Sequence, residues 1–323
     1  MNDPEVLVIG RNCLDYICVV EKFPEEDTKT ALCSRMVEGG GQGGTSSCCI
    51  ARLGGKVVLV GKLGDDEEGN FCIERLQAFE VNTDYITRVK GGKTPVAYLF
   101  VTRSSGKRTI IYEPNRLLKI TVDSYLTELA SRAGSILLDP DVTYLGCELR
   151  RIIKNNVNII YDCERWREGI EEMMALADFF IPSSDFLNSR ELNLKSTSLS
   201  ERIVEFGQRV HGTLIVTHGE DGAYYLSDKT LFHVAPPKVT AVDTIGAGDN
   251  FHGAFALARS RGYNLRAAVT FSVAAASLSC REYGGRKGLP TMAEATRTAA
   301  TLTAVTVGMQ ASRIEPSTLK LST

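Results

Sequence analysis

The sequence has no apolar run close to the roughly 20 residues that cross a bilayer. Met1–Glu5 lead directly into an apolar stretch, with no basic segment ahead of it. Neither a membrane span nor a secretory leader is therefore expected, and a cytoplasmic location is. Charge of one sign is also lacking. The 37 basic and 39 acidic residues are interspersed and leave a net charge of -2, so no field exists to attract nucleic acid or an anionic lipid surface. A small molecule is the expected partner. The nine cysteines are odd in number, scattered from Cys13 to Cys280, and contain no C-x-x-C pair, which argues against a disulfide framework and a zinc site. Buried reduced thiols are the expectation. The four histidines, His211, His218, His233 and His252, show no H-E-x-x-H or other ligand spacing, so no transition metal is expected. Also missing are the Walker G-x-x-x-x-G-K-[ST], a G-x-G-x-x-G after the first strand, and the H-R-D and D-F-G of protein kinases. These absences remove support for P-loop, dinucleotide-binding and protein-kinase chemistry.

What is present is enough apolar sequence, 43% of 323 residues, to bury a large core in one domain. Short, mostly β-branched runs at Val6–Gly10, Val57–Val60, Ser135–Leu138, Val157–Tyr161, Phe179–Ile181 and Leu214–Thr217 alternate with helical stretches. That order predicts an α/β fold with a mostly parallel sheet covered on both faces. Residues 16–36 and 94–112 alternate apolar and polar positions without an intervening helix, which predicts a small antiparallel lid. One domain over 1–310 is expected, with an Ala/Thr-rich helix from Met292 to Val307 and a frayed tail at 311–323.

The strongest motif is Asp243-Thr244-Ile245-Gly246-Ala247-Gly248-Asp249, which runs from a β-branched stretch into an apolar helix. Gly246, Ala247 and Gly248 leave backbone N–H groups uncovered at a helix N-terminus, where the helix dipole favours the charge on a transferring phosphoryl group. Asp249, next in line, is either a helix cap or the carboxylate that accepts a hydroxyl proton. A second motif, Gly39-Gly40-Gly41-Gln42-Gly43-Gly44-Thr45, lets backbone approach a polar ligand or forms a flexible loop. The acidic turn Gly61–Gly69 reads as helix capping. A third, Thr217-His218-Gly219-Glu220-Asp221-Gly222, ends a strand in a turn without bulky side chains, which would admit a nucleotide or simply reverse the chain.

Together these residues resemble the ribokinase family of carbohydrate kinases, over about Val6 to Pro290. The likeness rests on D-T-x-G-A-G-D at Asp243–Asp249, on Gly40-Gly41 leading to Leu53-Gly54, and on Gly61-Lys62-Leu63-Gly64-Asp65-Asp66. The resemblance implies the ribokinase-like three-layer sandwich with a small β-sheet lid. It implies that Asp249 is the catalytic base and that Gly246, Ala247 and Gly248 form the anion hole. Asp15, Gly40 and Gly41 would hold sugar hydroxyls, and Asp15 is expected to end the first strand facing the lid. Thr45 stands where members often have Asn. Thr217, Gly219 and Gly222 match the nucleotide loop, and Arg108 would reach phosphate or substrate from the lid. Asp243 and Thr244 match positions that in some members help hold a monovalent cation such as K⁺, and Mg²⁺ would arrive with ATP.

Two departures stand out. An N-x-x-E motif associated with Mg²⁺ is replaced by Ser183-Ser184-Asp185-Phe186, and the Gly-Ser-Leu-Pro-Pro-like segment of phosphofructokinase-type relatives is replaced by Leu137–Val142. The second argues against a sugar phosphate as acceptor. Gly39–Gly41, Asp249–Ala254 and Gly284-Gly285-Arg286-Lys287-Gly288 are most similar to the sulfofructose-kinase and ketohexokinase-like members. The expected reaction is transfer of the ATP γ-phosphate to a hydroxyl of an unphosphorylated monosaccharide such as fructose, sulfofructose or ribose. One alternative is a nucleoside kinase, with Tyr16, Phe23, Tyr98 and Phe100 stacking on a base or merely packing the lid. Another is a non-catalytic sugar or nucleotide sensor. A homodimer through the lid follows by analogy with some members.

Overall fold

The computed structural model describes residues 3–117, 119–153 and 156–307. Its strands are, in chain order, β1 (Val6–Ile9), β2 (Cys13–Val20), β3 (Ser34–Gly40), β4 (Val57–Gly64), β5 (Ile86–Val89), β6 (Val96–Thr102), β7 (Arg108–Tyr112), β8 (Ser135–Leu138), β9 (Asn158–Cys163), β10 (Phe179–Pro182), β11 (Thr213–Thr217), β12 (Ala223–Ser227), β13 (Thr230–Val234) and β14 (Ala304–Thr306). The helices are α1 (Gln42–Arg52), α2 (Glu67–Gln77), α3 (Ser124–Arg132), α4 (Gly146–Ile152), α5 (Ile170–Leu176), α6 (Leu199–Gly207), α7 (Ala247–Ser260), α8 (Leu265–Ser279) and α9 (Met292–Ala299).

Ten strands form one sheet in the order β14-β13-β12-β11-β10-β9-β8-β1-β4-β5. From β5 to β11 every pairing is parallel, and β12, β13 and β14 close the far edge antiparallel. Burial on both faces explains the unbroken apolar runs. In β1, Val6 and Val8 pack toward α1, α7 and α8, while Leu7 and Ile9 pack toward α3 to α6. The expected three layers are therefore present.

Four strands, in the order β3-β2-β6-β7, make the second sheet. Its small core is Ile17, Ala97, Leu99 and Val101, joined by Ile245 from the turn before α7. Three sequence expectations need correction. The lid is mixed rather than antiparallel, because β2 and β6 run parallel: the chain passes through α1, β4, α2 and β5 between β3 and β6, and a crossover delivers a parallel neighbour where a hairpin would not. Asp15 belongs to lid strand β2, not to the end of the first strand. The helix beginning at Met292 stops at Ala299, and Ala304–Thr306 pairs with β13. Thr291 and Glu294 form a capping box at its start, while β-branched residues after Ala300 favour the strand. The expected frayed tail at 311–323 lies outside the described residues.

Candidate active site

Two helix N-termini meet between the sheets. The α1 helix starts after Gly41, whose φ of 82° is left-handed, and α7 starts after Gly246 at φ 71°. Neither N-cap has a side chain to cover the first turn. In α1 the N–H groups of Gly43 and Gly44 donate to Asp139 Oδ2 and Arg11 O, and in α7 Ala247 N donates to Thr244 O at 3.3 Å, which leaves the N–H groups of Gly246 and Gly248 available to an anion. The two helices are locked at close range. Ser46 Oγ donates to Asp249 O at 2.9 Å, and a Cβ on Gly253 would lie 2.6 Å from Ser46 O. At Gly248 nothing lies within 4 Å of the Cβ direction, whereas a Cβ on Gly246 would meet Gly285 Cα at 2.9 Å and Thr45 Cγ2 at 3.0 Å. The turn is thus packed from behind and open in front.

In front lies a cleft of about 430 Å³, bordered by Asp15, Gly41, Thr45, Arg108, Thr217, Gly246, Gly248 and Asp249. Eight residues singled out in the sequence are therefore brought together from β2, α1, β7, β11 and α7. Six others do not border it. Gly40 lies one step behind, its carbonyl accepting from Arg286 Nη2 at 2.8 Å, and Ala247 sits within the first turn of α7. Gly219 is in the short turn after β11, with open space at its Cβ position, and Gly222 is packed so that a Cβ would meet Val234 O at 2.1 Å. Asp243 is buried, and its two carboxylate oxygens accept from the N–H groups of Ile245 and Gly284, each at 2.9 Å. Thr244 Oγ1 accepts from Arg108 Nη1 at 2.8 Å. This pair braces the turn and ties it to the lid.

Asp249 is not a cap, since the cap position is Gly246 and Asp249 stands third in the helix. Burial pushes its carboxyl up to about 7, aided by the neighbouring charges of Asp162 and Asp139, with His252 opposing. Burial also raises Asp162 and Asp139. His252, 4% exposed, places Nδ1 2.7 Å from Gly248 O and Nε2 3.6 Å from Asp162 Oδ1. Behind them Asp139 Oδ2 accepts from the backbone N–H groups of Arg11 and Gly43, and Arg11 Nη2 donates to Gln42 Oε1 at 2.9 Å. On the lid side, burial raises Asp15 to about 6.

Sequence reasoning missed Arg11, Glu38, Gln42, Tyr112, Asp162, Glu164 and Arg165, all of which border the cleft. Gln42 lies inside the second glycine motif, at the start of α1, and Glu38 directly precedes that motif in β3, whereas the other five come from loops and strand ends with no fixed spacing to the glycine motifs. Tyr16, Phe23, Tyr98 and Phe100 do not border it. Tyr16 stacks on Tyr98 at 5.3 Å, and Phe23 meets Phe100 edge-on at 5.7 Å. They pack the lid.

Where the N-x-x-E motif would fall, Ser184 N donates to Thr217 O at 2.8 Å and Ser184 Oγ lies 2.7 Å from His218 Nδ1. Among the described residues no group of three or more His, Cys, Asp or Glu could cage a metal ion. The cleft does carry carboxylates at Asp162, Asp185 and Asp249. That suits Mg²⁺, which keeps most of its waters, takes one or two protein carboxylates and rides on phosphate oxygens. Among the described residues no helix is long and apolar enough to cross a membrane.

Comparison with known proteins gives a consistent answer. The model of the pfkB family of carbohydrate kinases matches residues 3–292. Ribokinase of Bacillus subtilis is 25% identical over 291 residues, 90% of this chain and 97% of that protein. Ketohexokinase of Mus musculus is 26% identical over 293 residues, 87% of this chain and 97% of that protein. Arabidopsis thaliana ribokinase, in a structure complexed with ribose and ATP, superposes with a TM-score of 0.78 at 23% identity, covering 92% of this chain and 99% of that one.

Proposed function

Because the chain belongs to the pfkB family of carbohydrate kinases, and so transfers phosphate to an alcohol group, we propose that it phosphorylates an unphosphorylated monosaccharide with ATP, using Asp249 as the base. The observation that carries this reading is Asp249 with its carboxyl raised to about 7, beside an uncapped helix N-terminus in a cleft roofed by the lid. Asp249 accepts the proton of the acceptor hydroxyl as that oxygen forms its bond to the γ-phosphorus. The bond from γ-phosphorus to the β,γ-bridging oxygen breaks, and ADP leaves with its electron pair. The N–H groups of Gly246 and Gly248 would face the charge that spreads over the equatorial oxygens, while that of Ala247 donates to Thr244 O and holds the turn between them. Arg108, reaching Thr244 from β7, brings a positive charge to the same turn when the lid is down. Bound Mg²⁺ would neutralise the phosphate charge, with Asp162 and Asp185 as the carboxylates to orient its waters. Asp15, Gly41 and Thr45 would hold acceptor hydroxyls, and Thr217 with Gly219 would border the nucleotide.

The charge balance of the cleft favours an acceptor without a phosphate. Its arginines are already engaged: Arg11 with Gln42 and Asp141, Arg165 with Glu164 and Tyr112, Arg108 with Thr244. Asp15, Glu38 and Glu113 line the lid side, and carboxylates there suit hydroxyl donors better than a second phosphate. The test is ADP release with Mg-ATP, with and without potassium, over a panel of ribose, fructose, sulfofructose, sugar phosphates and nucleosides. Turnover of a neutral or sulfonated sugar supports the proposal. Turnover only of sugar phosphates or nucleosides replaces the acceptor, and tight sugar binding with no ADP release makes the protein a sensor.

We also propose that two lids pair. All five residues of β7 are exposed, with Ile111 at 55%, and Tyr98 on β6 is 46% exposed. An edge strand with apolar side chains is a template for a second copy. Light scattering at micromolar concentration should give the mass of a dimer, and a monomer there removes this proposal.

A further inference from the structure

Arg286 is the largest side chain that the core encloses, 2% exposed in the turn between α8 and α9. Its Nη2 donates to Gly40 O at 2.8 Å and to Asn12 Oδ1 at 3.2 Å. Its Nε and Nη1 are buried with no hydrogen-bond partner. The space around it is made by glycine. A Cβ on Gly39 would lie 2.4 Å from Nη1, and one on Gly44 would lie 2.5 Å from Nη2. A guanidinium costs several kcal/mol to bury, and leaving two donors unmatched adds to that cost. Packing alone would be met by a methionine, so the charge calls for an explanation.

That explanation lies across the strand end. Asp15 packs directly on Gly40, where a Cβ would come within 2.0 Å of Asp15 Oδ2. It faces the cleft from the lid. Gly39 and Gly41 border the cleft on one side while Arg286 backs them on the other. We propose that Arg286 is a positioning residue for the acceptor: from behind the Gly39–Gly41 segment it fixes the Gly40 carbonyl and supplies the buried positive charge that holds Asp15 as a carboxylate facing the sugar. The idea rests on Asp15 contacting the acceptor, as proposed above. The groups facing Asp15 are Cys13, whose Sγ donates to Oδ1 at 3.2 Å, together with Arg11, Glu38, Cys72 and Arg286. Burial raises Asp15, Glu38 adds to the rise, and the Cys13 hydrogen bond, Arg286 and Arg11 oppose it. Removing Arg286 therefore drives Asp15 further up, toward the protonated form at neutral pH.

The experiment follows the Asp15 side-chain carboxyl by ¹³C NMR across pH 4–9, with Asp15→Asn identifying the resonance, in the wild type, Arg286→Met and Arg286→Lys. The wild type is expected to titrate near 6, Arg286→Met about one unit or more higher, and Arg286→Lys close to the wild type. At pH 5, below both values, a one-unit shift lowers the ionised fraction of Asp15 about tenfold, so the sugar KM of Arg286→Met should rise about tenfold there and only about twofold at pH 7, with the ATP KM unchanged at both. A folded Arg286→Met protein with an unmoved Asp15 titration and an unchanged sugar KM overturns the proposal. Should that variant not fold, Arg286→Lys decides. It keeps the charge and loses the forked bond to Gly40 and Asn12, so it should raise the sugar KM severalfold and leave the ATP KM alone, and an unchanged sugar KM refutes the role. Absence of turnover on any sugar by the wild type would instead strike the functional reading, while the Asp15 titration is read without turnover.

Discussion

At the scale of single residues, burial and the neighbouring carboxylates push the Asp249 carboxyl up to about 7. A base must be ionised to act, so turnover should rise with pH through about 7, where the Asp249 carboxyl titrates. Replacing Asp249 by Asn keeps the shape and removes the base, and kcat should fall by about 10²–10⁴-fold. A near-normal kcat in a folded Asp249→Asn protein would refute the assignment. Asp162 tests the electrostatics separately. Its charge is, after burial, the next influence that raises Asp249, so Asp162→Asn should move the lower limb of the pH profile toward acid, by up to about one unit. A limb that stays in place, or moves toward alkali, would show that Asp162 does not set the base. Neither Asp162 nor Arg286 was legible as a functional residue in the sequence. Asp162 sits in Tyr-Asp-Cys-Glu-Arg-Trp at a strand end, and Arg286 entered only as part of the Gly284–Gly288 segment that carried some of the family likeness, with no role of its own. Both depend on what the fold packs beside them.

At the scale of elements, the site is built where α1 and α7 point their N-termini into one cleft, and the sequence makes both starts legible through glycine. It does so because the requirement is local: a left-handed φ at Gly41 and Gly246, and no Cβ where another backbone passes. The parallel strands β1, β4, β8, β9, β10 and β11 were equally readable from their apolar runs, whereas β5, Ile-Thr-Arg-Val, was not. The antiparallel edge was not, since β12 and β13 follow the Thr217–Gly222 turn with mixed Tyr, His and Thr residues, and their place depends on pairing with distant Ala304–Thr306. The parallel pairing inside the lid was hidden for the same reason. A local requirement gives a local prediction. Gly246→Ala forces a side chain into the left-handed region and against Gly285 Cα at 2.9 Å, which should destabilise the fold by about 1–3 kcal/mol. Because the turn carries the N–H groups proposed to face the transferring phosphoryl group, kcat should drop at least tenfold as well. Chemical denaturation and steady-state kinetics on the same preparation measure both, and a variant of wild-type stability and activity would mean that the turn is not held as described.

At the scale of the whole molecule, a cleft that raises its carboxyls above their free values has a cost in stability, and the sign of that cost can be worked out. Asp15 and Asp249 have folded-state values of about 6 and about 7, above the 3.8 of the free side chain. Between those limits the folded protein binds more protons than the unfolded chain does. Stability from these two groups is therefore greatest below about pH 4 and is lost as pH rises toward 7, the opposite of a carboxylate held in an ion pair. Other groups shape the full curve, so the difference between variants is the clean observable. Asp249→Asn removes one such ionisation without emptying the space, and the ligand-free variant should melt higher than the wild type at pH 8, by about 1.5 °C for each kcal/mol in a chain of this length. The gap should shrink as pH falls toward 5, where the wild-type carboxyl is already neutral. Thermal melts of both proteins at pH 5, 6.5 and 8 measure it. A variant that melts below the wild type at pH 8, or a gap that grows toward acid, would mean that Asp249 is stabilised as an anion in the free protein. The base would then be ready at any physiological pH, and the rise of turnover through pH 7 would disappear with it.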